Sequence, residues 1–151
     1  MPTAEKGIEI AVPVRTAYNQ WTQFEEFPKF MDGVEEVRQL DATHLHWKTR
    51  IAGVEREFDA EITEQTPDER IAWHSVGEVK QAGVVTFHRL DDTHTRIMLQ
   101  LDMEPETLTE KLGDVLGIVE HQCAKDMERF KAFIEARGVE TDAWRGEVTP
   151  N

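Results

Sequence analysis

Six histidines are spread along the chain, and only His44 and His46 have ligand-like spacing, two apart on one face of an extended run. That face is polar and no His-Glu-x-x-His stands in a helical stretch, so solvated histidines are expected and no metal. Ser75 is the sole serine and follows His74, but neighbours in a strand point to opposite faces and could not share a proton. "AWHSVG" also matches no nucleophile elbow. Cys123, the sole cysteine, excludes an intramolecular disulfide or a cysteine-built zinc site. It falls on the apolar stripe of a helical pattern, which predicts a buried, inert thiol.

Arg56 is the informative cation. It alternates in phase with Val54, Phe58, Ala60 and Ile62, so it must reach water past its neighbours, pair with a buried carboxylate, or offer its guanidinium to a ligand. A bidentate donor on an apolar wall suits a carboxylate, an enolate or a quinone carbonyl. Arg89, in phase with Val85 and Phe87, is the second such position. The opposite phase of the Arg56 strand carries Glu55, Glu57, Asp59 and Glu61, an acidic stripe for water or a basic partner.

Rings cluster at Trp21, Phe24, Phe27 and Phe30, each three positions after the last, with Pro28 among them. Proline disfavours helical geometry in the residue before it, so the pattern predicts two short helices with the break at Phe27 and the second turn over "PKFM". Trp21 and Phe24 are then expected in the core on the sheet side. Phe27, Phe30 and Met31 would overhang the open end of a sheet, as packing or as a gate.

The elements that must position these residues follow from periodicity. "KGIEIAV" alternates as a strand and Pro13 ends it; "VRTAYNQWTQ" has helical spacing. Six more alternating runs follow, punctuated by Asp41, Gly53, Pro67 with Asp68, Gly77 and "DDT", the rhythm of an antiparallel meander. Leu45, Trp47, Thr49 and Ile51 share one face, and Ile97, Leu99, Leu101 and Met103 face inward. After Pro105 the period lengthens: Leu108, Leu112, Val115, Leu116, Val119, Cys123, Met127, Phe130 and Ile134 mark one long amphipathic helix that Gly138 stops. Residues 139–151 are expected to form a tail that Trp144 can dock.

The chain has 151 residues with 39% hydrophobic content, enough for one core. Its formal charge is −13, from 30 acidic against 17 basic residues, with no basic stripe. Nucleic acid and anionic membrane surfaces are therefore disfavoured. No apolar run is long enough to span a bilayer and no leader pattern opens the chain, so a cytoplasmic protein without integral membrane association is expected. A homodimer stays open, and no cofactor is expected.

A strand, two short helices, six meandering strands and a long helix make an α+β protein in which a curved antiparallel sheet wraps the helix. The order "IEIAVPVRTAYNQWTQFEEFPKFMDGVEEV", "GVVTFHRLDDTHTRIMLQLDMEP", "DMERFKAFIEARG" resembles the START-like helix-grip (SRPBCC) superfamily, in its bacterial polyketide cyclase/dehydrase and coenzyme Q-binding branch. The resemblance covers residues 5–138. It implies a seven-stranded sheet gripping the C-terminal helix around an apolar cavity that holds lipids, isoprenoid quinones, polyketides or hormones. The expected wall is Phe27, Phe30, Met31, Trp47, Arg56, Phe58, Trp73, Phe87, Leu99, Leu112, Val115, Leu116 and Val119.

Cyclase members of that family use a pocket arginine, a tyrosine and a tryptophan. This chain departs from them: its single tyrosine, Tyr18, is on the first helix, Val34 stands where the cyclases carry theirs, and their arginine falls near Glu61 or Ile62. "F-P" replaces their "W-P". Catalytic residues are thus unassigned, with Arg56 the best candidate. Three functions follow: binding of a small hydrophobic ligand, an aromatase/cyclase- or dehydratase-like enzyme, and a protein-interaction module on the acidic face.

Overall fold

The computed structural model describes residues 3–51, 53–77, 81–103 and 112–149, with side chains for all of these except 103 and 112–116. One antiparallel sheet runs in the order β1 (Thr3–Ile10), β7 (His94–Met103), β6 (Gln81–Asp91), β5 (Arg70–Val76), β4 (Val54–Thr66), β3 (His44–Ile51), β2 (Val34–Gln39). Bulges between Val34 and Glu36, Ile62 and Glu64, and Arg89 and Asp91 bend the strands, so the sheet curls. Into its concave face packs α2 (Leu112–Arg137), while α1 (Val14–Trp21) and a 3-10 helix, Phe24–Lys29, fill the link from β1 to β2. This is the helix-grip α+β fold with seven strands and two short helices. Residues 104–111, with Leu108, lie outside the described residues.

The strand periodicities hold. Leu45, Trp47, Phe58, Ala60, Ile62, Val85 and Ile97 are buried, while Glu55, Glu57 and Asp59 stay exposed. β1 begins earlier than its alternation implied, at Thr3, because Thr3 is already in register with Asp102 and donates its hydroxyl to that carboxylate at 2.6 Å. Gly138 ends α2 at φ 74°, its N–H donating to the Ile134 carbonyl at 2.8 Å.

The bend among the rings comes earlier than Pro28 suggested. α1 stops at Trp21, where Thr22 turns its hydroxyl back onto the Asn19 carbonyl at 2.6 Å, and the 3-10 helix already starts at Phe24. Pro28 sits inside that six-residue helix. Its missing N–H costs one hydrogen bond to the preceding turn, and the helix is closed after it by the Phe27 carbonyl, which accepts from the N–H groups of Phe30, at 3.1 Å, and Met31, at 2.7 Å.

The acidic stripe on β4 meets its cations on the neighbouring strand. His46 bridges Asp59 through Nδ1 at 2.7 Å and Glu57 through Nε2 at 2.9 Å, and these bonds raise its pKa above the ordinary histidine value. Arg50 donates to Glu35 and Glu55, both at 2.6 Å. The outer face is thus largely self-paired.

The segment after Gly138 folds back over α1. Arg145 donates to both oxygens of Asp68, at 3.0 and 2.9 Å, and to the Asn19 side-chain carbonyl at 2.6 Å, with its guanidinium 5.6 Å from the Tyr18 ring centre. Thr141 donates its N–H to Gln20 at 2.8 Å, and Val148 exchanges backbone bonds with Gln65. Asn19 and Gln20 are buried polar side chains that this segment partners, and it pairs the backbone of buried Gln65. Arg145→Ala removes a bidentate pair and strands the buried Asn19 oxygen. It should cost about 1–3 kcal/mol, read as a lower urea midpoint at unchanged slope. An unchanged midpoint would show that the Arg145 contacts add nothing to stability.

Candidate functional site

Inner-face residues of β3, β4, β5 and β7 stand opposite one face of α2, and the space between them is not filled. It is a cavity of about 190 Å³. One end is closed by rings: Trp21 and Phe27 lie 5.5 Å apart edge to face, Phe24 and Phe27 5.4 Å, and Phe27 and Trp47 5.8 Å. Val54 and Ile118, both on the cavity wall, are about half exposed and mark its open rim.

Of the expected wall, Phe27, Met31, Trp47, Arg56, Phe58, Trp73, Leu99 and Val119 do line the cavity. Phe30 and Phe87 do not. Phe30 turns onto α2, with ring centres 5.3 Å from Phe130 and 4.8 Å from Phe133, and Phe87 lies under α1 against Tyr18, at 5.3 Å, and Trp21, at 6.2 Å. Both positions face inward, but at depths that core packing fills. Leu112, Val115 and Leu116 have side chains outside the described residues. Arg89 keeps its register opposite Thr95 but stands exposed near the end of β6, just before the bulge, and pairs with Asp92.

The polar part of the wall is small and concentrated. Thr49 and Arg56 are paired across β3 and β4, one step from the pair Trp47 and Phe58. The indole N–H groups of Trp21 and Trp47 are buried on cavity-lining side chains and have no hydrogen-bond partner among the described residues. Both tryptophans are nine-tenths or more buried. Neither nitrogen has surface open to the cavity, so the polar groups of this largely apolar wall that an occupant could meet come chiefly from Thr49, Arg56 and the helix side chains Gln122 and Asp126.

The helix supplies a group that sequence reasoning missed. Asp126 lines the cavity and is 8% exposed. Its carboxylate accepts from the N–H of Asp32 at 3.0 Å, the N–H of Gly33 at 3.3 Å and the amide of Gln122 at 2.9 Å; Arg129 pairs with Asp32 beside it. Burial raises its pKa above the ordinary aspartate value against the pull of those donors. A side chain at position 33 would crowd both Gln122 and Asp126, at 3.0 and 3.1 Å, so glycine there is what lets the loop approach the helix. The signal was present: Asp126 stands seven residues after Val119 and four before Phe130, on the apolar stripe itself. Trp21 and Phe24 also combine core and cavity roles, each buried and each on the wall.

Cys123 faces the cavity as well, and burial pushes its thiol up to about 12, which leaves it protonated and unreactive at neutral pH. His44 and His46 are on the convex face, bonded to Asp41 and to Asp59 and Glu57, far in role from the cavity wall. Among the described residues no group of His, Cys, Asp and Glu is arranged to hold a metal ion, and no helix is long and apolar enough to cross a membrane.

Comparison with known proteins agrees with this architecture. Residues 10–132 match the family described as polyketide cyclase / dehydrase and lipid transport. An uncharacterized 17.2 kDa protein of Streptomyces lincolnensis, from the melC2–rnhH intergenic region, is 62% identical over 98% of this chain and 99% of its own. A START superfamily protein of Mycobacterium smegmatis superposes with a TM-score of 0.80 at 15% identity, over 89% of this chain and 98% of its own. The Zhui aromatase/cyclase of a Streptomyces species superposes with a TM-score of 0.75 at 16% identity, over 90% and 94% of the two chains. At those identities the two solved structures speak for the fold alone.

Because the folded Asp126 carboxyl titrates above its unfolded value, its contribution to stability is full below the unfolded pKa and is lost as pH rises through the folded one. The stability of the wild type relative to Asp126→Asn should therefore fall in urea titrations as pH rises from about 4, the ordinary aspartate value, through the raised one. A relative stability that rises over that range would mean the carboxylate is stabilised, not strained, by its surroundings.

Proposed function

The chain belongs to the polyketide cyclase/dehydrase and lipid transport family, and on that footing we propose that it binds a compact hydrophobic molecule in the cavity between sheet and α2. The observation that carries this reading is the cavity wall itself: aromatic and aliphatic side chains with Arg56 and one buried carboxylate among them. Such a lining takes up an apolar body by removing its surface from water and orients it through a few polar contacts. A volume of about 190 Å³ suits a ring system or short chain of the polyketide, quinone or lipid kind with at least one oxygen acceptor. Arg56 is the group to meet that acceptor. The protein acts in the cytoplasm as a carrier that holds its ligand without bond chemistry.

Asp126 supports a second reading, an aromatase/cyclase-like enzyme. Enolisation and ring closure need a donor for the developing oxyanion and a group that moves a proton. Arg56 could serve as the first, and a cavity-facing carboxyl with a raised pKa is the second.

Native mass spectrometry of freshly purified protein should show an apolar molecule retained. A panel of quinones, lipids and aromatic ketones should raise the melting temperature, a ligand at one hundred times its Kd adding about 2.7 kcal/mol. Arg56→Leu should weaken binding of a ketone about tenfold while leaving the fold intact. No retained molecule together with no thermal shift across the panel would remove the binding reading. Turnover of a model poly-β-ketone, lost in both Arg56→Leu and Asp126→Asn, would replace the carrier with the enzyme.

A further inference from the structure

Gly83 stands mid-strand in β6, where glycine costs about 0.5–1 kcal/mol relative to alanine, and nothing in its backbone calls for glycine. The left-handed glycines of this chain are Gly53, Gly77 and Gly138, at turns and a helix end. Space is the reason instead. Gly83 is in register with Trp73 on β5 and Leu101 on β7, both of which line the cavity. A Cβ at position 83 would meet the six-membered ring of the Trp73 indole, with Cε2 at 2.6 Å, and would come within 2.9 Å of Leu101 Cδ2. The indole thus lies over the bare backbone of Gly83, pressed along the sheet. On its other side Trp73 is in register with Ile62, which is fully buried, so the ring has no alternative seat along that row.

We propose that the pair Trp73 and Gly83 determines the length of ligand that the cavity admits. Any side chain at position 83 lifts the indole off the sheet and into the cavity, shortening it from the β5–β6 side. Removing the indole lengthens it by the same route. The pair is therefore a selectivity element that acts through wall position and touches no reacting atom. The proposal rests on the binding reading of the cavity and adds to it the dimension along which ligands are sorted.

The test uses 2-alkanones of increasing chain length, titrated calorimetrically into the full chain and its variants. In the wild type, affinity should climb with each methylene, then break at the length where the chain meets Trp73. Gly83→Val should move that break to a chain at least two methylenes shorter and weaken the longest wild-type binder by about tenfold or more. Trp73→Ala should move the break to longer chains, and the double variant should restore the lost length. If Gly83→Val does not fold, Trp73→Ala alone still decides, since it removes atoms and must lengthen the range. Wild-type binding with the same break in every variant would overturn the proposal and leave the binding reading standing. Failure of every 2-alkanone to bind the wild type would overturn the proposal that chain length is what the cavity sorts, while the binding reading would still stand or fall on the ligand panel.

Discussion

A sheet that curls around a helix leaves a wedge-shaped gap, and something bulky must hold the helix at its distance. Here the rings do so. Trp21 meets Phe130 at 5.1 Å, Phe30 stacks toward Phe130 and Phe133, and Phe27 stands between Trp21 and Trp47. Each buried ring removes a large apolar area from water, and edge-to-face contacts add about 0.5–1.5 kcal/mol per pair. Because α1 and the 3-10 helix deliver these rings at one end only, that end is solid and the other is hollow. The cavity is the part of the wedge that the rings do not reach.

The same geometry explains why a carboxylate survives in an apolar setting. The loop after the 3-10 helix is drawn against α2 by Asp126, which accepts from two consecutive backbone N–H groups, those of Asp32 and Gly33. Those N–H groups need partners where β2 begins, and the carboxylate needs donors where water is scarce. Each meets the other's requirement, and the loop that carries Met31 and Gly33 is thereby fixed as part of the cavity wall. The C-terminal segment does comparable service outside, partnering Asn19 and Gln20 on the back of α1.

Strand number, strand phase and the stop of the long helix were legible because period two and period 3.6 report which face of an element is buried. Arg56 stood out for the same reason, as a charge in an apolar phase, and it does line the cavity. Depth was not legible. Phe30 and Phe87 share the inward phase with true wall residues, yet one is taken up by Phe133 and the other by Tyr18, contacts between elements far apart in the chain. Pro28 misplaced the bend because proline limits its own and its predecessor's conformation, whereas the bend was set by Thr22 bonding to Asn19. Asp126 escaped because the helical stripe was read through its apolar members, and the N–H groups that make a carboxylate tolerable come from a loop some ninety residues earlier. The acidic stripe on β4 read as a face for water or a basic partner; pairing with His46 and Arg50 across the strand accounts for much of it.

The account depends on the hollow end of the wedge being a place where a molecule sits. A crystal structure of the protein with a bound aromatic ketone tests that most directly. The ketone's rings should lie between Trp47 and Phe58 on the sheet and Val119 on α2, with its oxygen toward Arg56. A ketone found only on the convex face, or a cavity closed by collapse of α2 onto the sheet, would contradict it.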